Sequence, residues 1–214
     1  AVLSASPEEY LRLEGRSVET RPMKGTRPRG RTPGGDRRLA TELYASEKER
    51  AENVMIVDLM RNDLGRVCTP GSIHVPHLFA VEKYPTVFQM VSTVRGQVRA
   101  GVDAVDVLKA CFPGGSVTGA PKIRAMEIID ELEPTQRSVY CGAIGYIGFD
   151  GSMRTSIAIR ILLAKDDRVY FQVGGGVVAD SDPEAEYRET LYKAQGSMRA
   201  LGIPCGRLTE MVQG

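Results

Sequence analysis

Apolar and polar positions run along this chain at two periods, one near 2 and one near 3.6 residues. Tyr10 to Leu13 and Ser17 to Thr20 read as strands flanking Glu14-Gly15-Arg16, where glycine suits the positive φ of a tight turn; the pattern predicts a β-hairpin. Asp36 to Tyr44 predicts a helix. A second helix follows, opened by Ser46 and Glu49 with the S-x-x-E spacing of a capping box and stopped at Gly65. Val67 to Gly96 reads as strands, with alternation clearest in Val87 to Val94. Asp103 caps a predicted helix through Cys111, and Pro113-Gly114-Gly115 breaks it. Thr118-Gly119-Ala120-Pro121 opens another helix to about Leu132, with Pro121 suited to the first turn. Three strands are predicted near 138–149, 153–164 and 168–173. Gly174-Gly175-Gly176 ends the last, and Ser181-Asp182-Pro183-Glu184 caps a final helix to about Leu201. Runs of strands bracketed by helices predict an α+β fold with largely antiparallel pairing.

One stretch breaks the pattern. Arg21 to Arg38 carries seven basic residues against one acid, Asp36, together with Pro22, Pro28, Pro33 and four glycines. It reads as an irregular loop, either a solvated arm or an anion site. A nucleic-acid arm is disfavoured, because no aromatic residues are interleaved and the charges of the whole chain nearly cancel, 28 Lys+Arg against 27 Asp+Glu. No apolar run approaches the length of a transmembrane helix. Cys68, Cys111, Cys141 and Cys205 are too scattered for a disulfide framework, so thiols in a reducing cytoplasm are expected. Ala1-Val2-Leu3-Ser4 has neither an initiator Met nor the basic-then-apolar sequence of a signal peptide.

Several side chains carry candidate chemistry. The helical neighbours of Glu52 are Met55, Ile56 and Leu59, so its carboxylate sits in an apolar stripe and needs a partner, an Arg or a metal ion. On the last helix, Glu186, Glu189 and Lys193 share a face apart from Tyr187, Leu191, Ala194, Met198 and Leu201. Two acids one turn apart suit Mg²⁺, while a solvated face with a Glu189–Lys193 pair is the plainer alternative. Gly174, Gly175 and Gly176 offer backbone N–H groups to an anion, or simply a tight turn. Lys24, between Pro22 and Pro28, is either an exposed cation or a nucleophile.

Read as strings, these residues resemble a family. Ser6-Pro7-Glu8, Pro22-Met23-Lys24-Gly25-Thr26, Arg50-Ala51-Glu52-Asn53, Asp58-Leu59-Met60-Arg61-Asn62-Asp63, Pro113 to Lys122 and Gly174-Gly175-Gly176 to Thr190 look like the chorismate-utilising enzymes, in order and over nearly the whole chain. That group includes anthranilate, aminodeoxychorismate, isochorismate and salicylate synthases. Lys24 matches the lysine of the aminodeoxychorismate branch, where anthranilate synthases usually have Ala. Gln89 stands where anthranilate synthases typically place His, and Phe88 departs from a His common in the aminodeoxychorismate branch.

The resemblance implies a site. Glu52 and Glu189, with Glu186 nearby, would hold Mg²⁺ on the ring carboxylate of chorismate. Tyr146, Arg160, Lys193 and the amides of Gly174, Gly175 and Gly176 would hold carboxylates, and Thr26, Ser116 and Thr118 would contact the substrate's oxygens. Lys24 would attack the ring, ammonia would displace it, and Glu8 would serve as general acid and base. Arg154 stands where relatives often carry Asp. The implied fold is two stacked, largely antiparallel sheets with helices outside, and the implied partner is a glutamine amidotransferase subunit or fused domain. Residues 1–214 would form the C-terminal part of one catalytic domain whose opening strands are absent, leaving sheet edges uncovered and the isolated chain prone to aggregate. Anthranilate synthase component I is the competing member, which Lys24 argues against. A chain that binds chorismate or its amidotransferase without turnover is a third reading.

Overall fold

A computed structural model describes residues 1–204; Cys205 lies outside the described residues. In chain order the first elements are β1 (Val2–Ser4), β2 (Glu9–Glu14), β3 (Ser17–Thr20), β4 (Met23–Pro28), α1 (Pro33–Ala45) and α2 (Glu47–Gly65). Then come β5 (His74–Lys83), β6 (Val87–Gln97), α3 (Ala104–Cys111), a 3₁₀ turn at Gly115–Val117 and α4 (Lys122–Leu132). The last described elements are β7 (Ala143–Ile147), β8 (Met153–Ile157), β9 (Ile161–Lys165), β10 (Arg168–Tyr170) and α5 (Pro183–Ala200). The fold is α+β, as expected, and among the described residues every strand pairing is antiparallel. Two compact units are present: Glu8–Gln136 with Ala143–Ile157, and Ala1–Pro7 with Arg137–Gly142 and the chain from Ala158 onward.

The larger unit is built around β6. One edge pairs with β5; the other pairs first with β3 (Thr20↔Val94) and then with β4 (Met23↔Val91). The sheet continues from β3 through β2 and β8 to β7. The hairpin of β2 and β3 turns at Gly15, with φ +58°. Leu43 of α1 packs on Phe88 and Met90 of β6, joined by Leu39, Ala40, Phe79 and Val81. Side chains on β6 are buried on both faces from Phe88 to Val94, so the expected half-buried alternation is corrected: its polar members Gln89, Ser92 and Thr93 are as enclosed as Met90 and Val91.

The helix ends follow their caps. Thr32 accepts from Gly35 N, Ser46 from Glu49 N, and Asp182 from Ala185 N, while Asp103 and Asp106 form a reciprocal capping box. Pro121 stands at the N-cap of α4, one place before the expected first turn.

The basic stretch is not a loop. Its first half is β4. Pro22 has no N–H to give, yet its carbonyl accepts from Ser92 N at 3.1 Å, so the edge of β6 stays paired across the proline. Its second half is the start of α1, three residues earlier than expected. Several of its cations are spent internally. Arg21 pairs with Glu82, Arg27 with Glu49 at 3.2 Å, and Arg29 with Asp36 while lying 5.0 Å over the Phe88 ring. The Arg29 guanidinium's hydrogen bonds, with help from Gly30 N–H, pull the Asp36 carboxyl down to about 2.

The smaller unit holds the antiparallel sheet β1-β9-β10 and α5. The run expected as one strand over 153–164 is two, in different sheets. It breaks around Arg160, whose φ of +49° is left-handed, away from the extended backbone of the strands on either side. The strands expected at 138–149 and 168–173 shorten to β7 and β10. Cys68, Cys111 and Cys141 are buried, and Cys68 and Cys111 are free thiols, in line with the thiol expectation.

Leu43 is fully buried at the α1–β6 contact. Leu43→Ala should lower unfolding free energy by about 2–5 kcal/mol, the range for emptying such a site. A urea titration reads this as a fall in midpoint at unchanged slope.

Candidate active site

In the larger unit, Glu8, Lys24, Glu52 and Ser116 converge from four separate segments. Glu8 precedes β2, and its carbonyl is fixed by Ile157 N at 3.1 Å. The residue is 7% exposed. Its carboxylate accepts hydrogen bonds from the Ser116 side chain and from Met23 N–H, with the Lys24 ammonium close by. Burial outweighs these three influences and pushes the carboxyl up to about 7. A group with that midpoint is present in both protonation states at neutral pH, which is what a general acid and base requires.

Lys24 reaches this point because β4 bulges. Between Met23↔Val91 and Thr26↔Gln89, two residues of β4 stand opposite one of β6. Gly25 takes φ +86°, and a Cβ there would lie 2.9 Å from both Glu49 Oε2 and Leu43 Cδ1. Only glycine allows both the turn and the approach to the helices. Lys24 Nζ then stands 3.8 Å from Glu52 Oε2, with the side chains 19% and 15% exposed. The partner of Glu52 is therefore this lysine and not an arginine.

Ser116 is carried by the loop between α3 and α4. Gly115 lies directly on α2, since a Cβ there would come 2.6 Å from Leu59 Cδ2 and 2.8 Å from Met60 Cε. Thr118 Oγ1 donates to the Gly114 carbonyl at 3.0 Å, so its proton is engaged within the loop. Thr26 is exposed on β4 beside this cluster, and Tyr146 is 61% exposed on β7. Arg154, opposite Tyr146, makes an ion pair with Glu9 at 2.7 Å across β2 and β8, which accounts for its presence.

The smaller unit assembles a second group. Lys193 Nζ donates to the Gly174 carbonyl at 3.0 Å and pairs with Glu189 at 2.6 Å. Glu186 Oε1 accepts from Ser181 Oγ at 2.7 Å, and a Cβ on Gly175 would lie 2.9 Å from Glu186 Oε2. The Glu189–Lys193 pair exists, but the face is not merely solvated: it folds against Gly174 and Gly175, with Gly176 next in the chain. Arg160 is exposed at its left-handed position, and its carbonyl accepts from Ala5 N at 3.1 Å. Among the described residues, neither unit by itself clusters three His, Cys, Asp or Glu side chains for a metal ion. Glu52 belongs to one unit; Glu186 and Glu189 belong to the other.

Sequence reasoning passed over Lys122, whose Nζ donates to Asp63 Oδ2, the Cys111 carbonyl and the Pro113 carbonyl. The only signal was its place directly after Pro121, at the end of the glycine-rich motif.

Against known proteins, residues 1–199 match the profile of the chorismate binding enzymes. The chain is 54% identical over 201 residues to aminodeoxychorismate synthase component 1 of Salmonella typhimurium, covering 94% of this chain and 44% of the relative. It is also 54% identical over 200 residues to anthranilate synthase component 1 of Streptomyces coelicolor, covering 94% and 39%. Among solved structures, anthranilate synthase component I of Streptococcus pneumoniae superposes with a TM-score of 0.82 at 43% identity, over 91% of this chain and 42% of that one. The chain thus spans less than half the length of these relatives. No described helix is long and apolar enough to cross a membrane.

The raised midpoint of Glu8 has a consequence for stability. The native state holds this proton up to about pH 7, whereas the unfolded chain releases it near the ordinary carboxylate value of about 4.3. The folded state therefore binds more protons between these values, and Glu8's contribution, full below the lower one, is lost as pH rises through the upper. Glu8→Gln should flatten the pH dependence of unfolding free energy between about pH 4.5 and 7, by up to about 3 kcal/mol across the window. Urea titrations at several pH values check it.

Proposed function

The chain belongs to the family of chorismate binding enzymes, and from that premise we propose that it carries the chemistry by which chorismate is aminated to 4-amino-4-deoxychorismate. The observation that carries this reading is Lys24, set by the β4 bulge between Glu52 and a carboxyl that titrates near neutrality. Lys24 gives one ammonium proton to the Glu8 carboxylate and attacks ring carbon C2 as the amine; both conjugated ring double bonds shift toward C4, and the C4–oxygen bond breaks. Glu8 gives its proton to the departing hydroxyl, which leaves as water. Ammonia then attacks C4, the C2–nitrogen bond breaks, and its electron pair returns to Lys24. The Glu8 carboxylate removes the surplus proton from the new C4 amine. Covalent relay divides one difficult displacement into two easier ones.

The remaining residues bind. Chorismate is a dicarboxylate, and charge-assisted bonds from Arg160 and Lys193, with the Tyr146 hydroxyl and the amides of Gly174, Gly175 and Gly176, suit its ends. Thr26 supplies a hydroxyl for its other oxygens, and Ser116 and Thr118, whose protons go to Glu8 and the Gly114 carbonyl, would accept from its hydroxyl. Glu52, Glu186 and Glu189 each offer carboxylate oxygens, the donor chemistry that suits a hard cation such as Mg²⁺. When bound, Mg²⁺ would neutralise the substrate's ring carboxylate. Relatives named as a component 1 support a partner component, and a glutamine amidotransferase supplying ammonia fits the reaction. The product serves p-aminobenzoate and folate synthesis, placing the enzyme in the cytoplasm.

A second reading, conversion of chorismate to anthranilate and pyruvate, is favoured by the 54% identity to an anthranilate synthase. Product analysis separates the two. The complete protein with chorismate, Mg²⁺ and ammonium should yield 4-amino-4-deoxychorismate; anthranilate as the main product would establish the other reading. Lys24→Ala should lower the rate by about a hundredfold or more. Glu52→Gln, nearly isosteric, should weaken Mg²⁺-dependent chorismate binding while leaving the thermal unfolding curve close to wild type.

A further inference from the structure

Lys122 opens α4 at the end of the loop that carries Ser116. Its Nζ donates to Asp63 Oδ2 at 2.6 Å, the Cys111 carbonyl at 2.9 Å and the Pro113 carbonyl at 2.7 Å. An ammonium has three N–H donors, so its capacity is filled. The two carbonyls belong to the near end of the loop and Lys122 to its far end, while Asp63 anchors both to α2. The Lys122 and Asp63 side chains are 14% and 5% exposed. One enclosed ammonium therefore closes the base of residues 112–121, and the loop's apex presents Ser116 to Glu8.

From this geometry we propose that Lys122 is a positioning residue: by fastening both ends of the loop to α2, it holds the Ser116 hydroxyl against the Glu8 carboxyl. The role of that carboxyl as acid and base rests on the reaction proposed above; the positioning does not. The groups that face Glu8 are Ser116 from the loop, and Met23 N–H and Lys24 from β4, with Lys24 in turn paired to Glu52 of α2. Lys122 is not among them, so its removal reaches Glu8 only through the loop. Without the Ser116 bond the carboxylate form loses one of its three supports, and burial moves the midpoint further up.

The test is a ¹³C carboxyl NMR titration of Glu8 in the complete protein without substrate, assigned by the signal lost in Glu8→Gln. Because removing Lys122 alone strands the Asp63 charge, the clamp is opened by Lys122→Met together with Asp63→Asn. Ser116→Ala should raise the Glu8 midpoint by about one pH unit, the scale of one hydrogen bond to a charged group. The clamp variant should raise it comparably, and adding Ser116→Ala to that variant should raise it no further. A clamp variant with the wild-type midpoint, or a combined variant that moves twice as far, overturns the proposal. Should the clamp variant not fold, Asp63→Asn alone keeps the carbonyl bonds and should still raise the midpoint, by less; no movement overturns the proposal equally. Product analysis of the wild-type protein reads the reaction separately.

Discussion

Two residues of β4 stand opposite one of β6 between Met23 and Thr26, and the extra residue has to leave the pairing. Gly25 absorbs the backbone turn at φ +86° and lets the strand approach α1 and α2 closely. Lys24 is thereby aimed away from an ordinary strand position, toward Glu52 on α2 and Glu8 before β2. The elements around the bulge serve to hold it. β6 is paired along both edges, and Leu43, which bounds the space at Gly25, is locked into the Phe88–Met90 core. The geometry of the site is inherited from the sheet.

The charges in this site are arranged unequally. Glu52 and Lys24 face one another half-buried, so each lowers the other's cost of leaving water. Glu8 is more deeply enclosed, and its compensation is incomplete: one hydroxyl, one amide N–H and a nearby ammonium do not offset the loss of solvent. Two carboxyls near one lysine therefore differ: one balances its charge, and the other holds its proton up to about neutral pH. A further buried network lies behind them, where Ser92 Oγ donates to Asn53 Oδ1 at 2.5 Å and accepts from Phe79 N at 3.0 Å. It ties α2 to β6 and β5 one residue from Glu52.

Much of this was legible in the residues, and the parts that were not share a cause. Helix starts were readable where local caps mark them: Ser46 with Glu49, Asp103 with Asp106, and Asp182 before Pro183; the cap of α1, Thr32 with Gly35, is equally local but sits inside the basic stretch. The β2–β3 hairpin was readable because Gly15 marks its turn. β4 was not, since its prolines and cations mimic a loop, and its pairing with β6 spans a long stretch of chain. The break at Arg160 was equally hidden, because nothing in Ala158-Ile159-Arg160 announces a left-handed residue. Arg154 looked unexplained until Glu9 appeared across the sheet. Family resemblance singled out Glu8, Lys24, Glu52 and Ser116. Their convergence is a property of the fold, as is the clamp of Lys122, whose three acceptors come from α2 and from either side of Phe112.

The central claim is that Lys24 becomes covalently joined to the substrate ring. Mass spectrometry of the complete protein, quenched after exposure to chorismate and Mg²⁺ with ammonia withheld, addresses it directly. The account predicts that the peptide containing Lys24 gains the mass of chorismate less one water, and that added ammonium discharges it. A stable turnover of chorismate to the aminated product with Lys24 never modified, or an adduct carried by another residue, would contradict it.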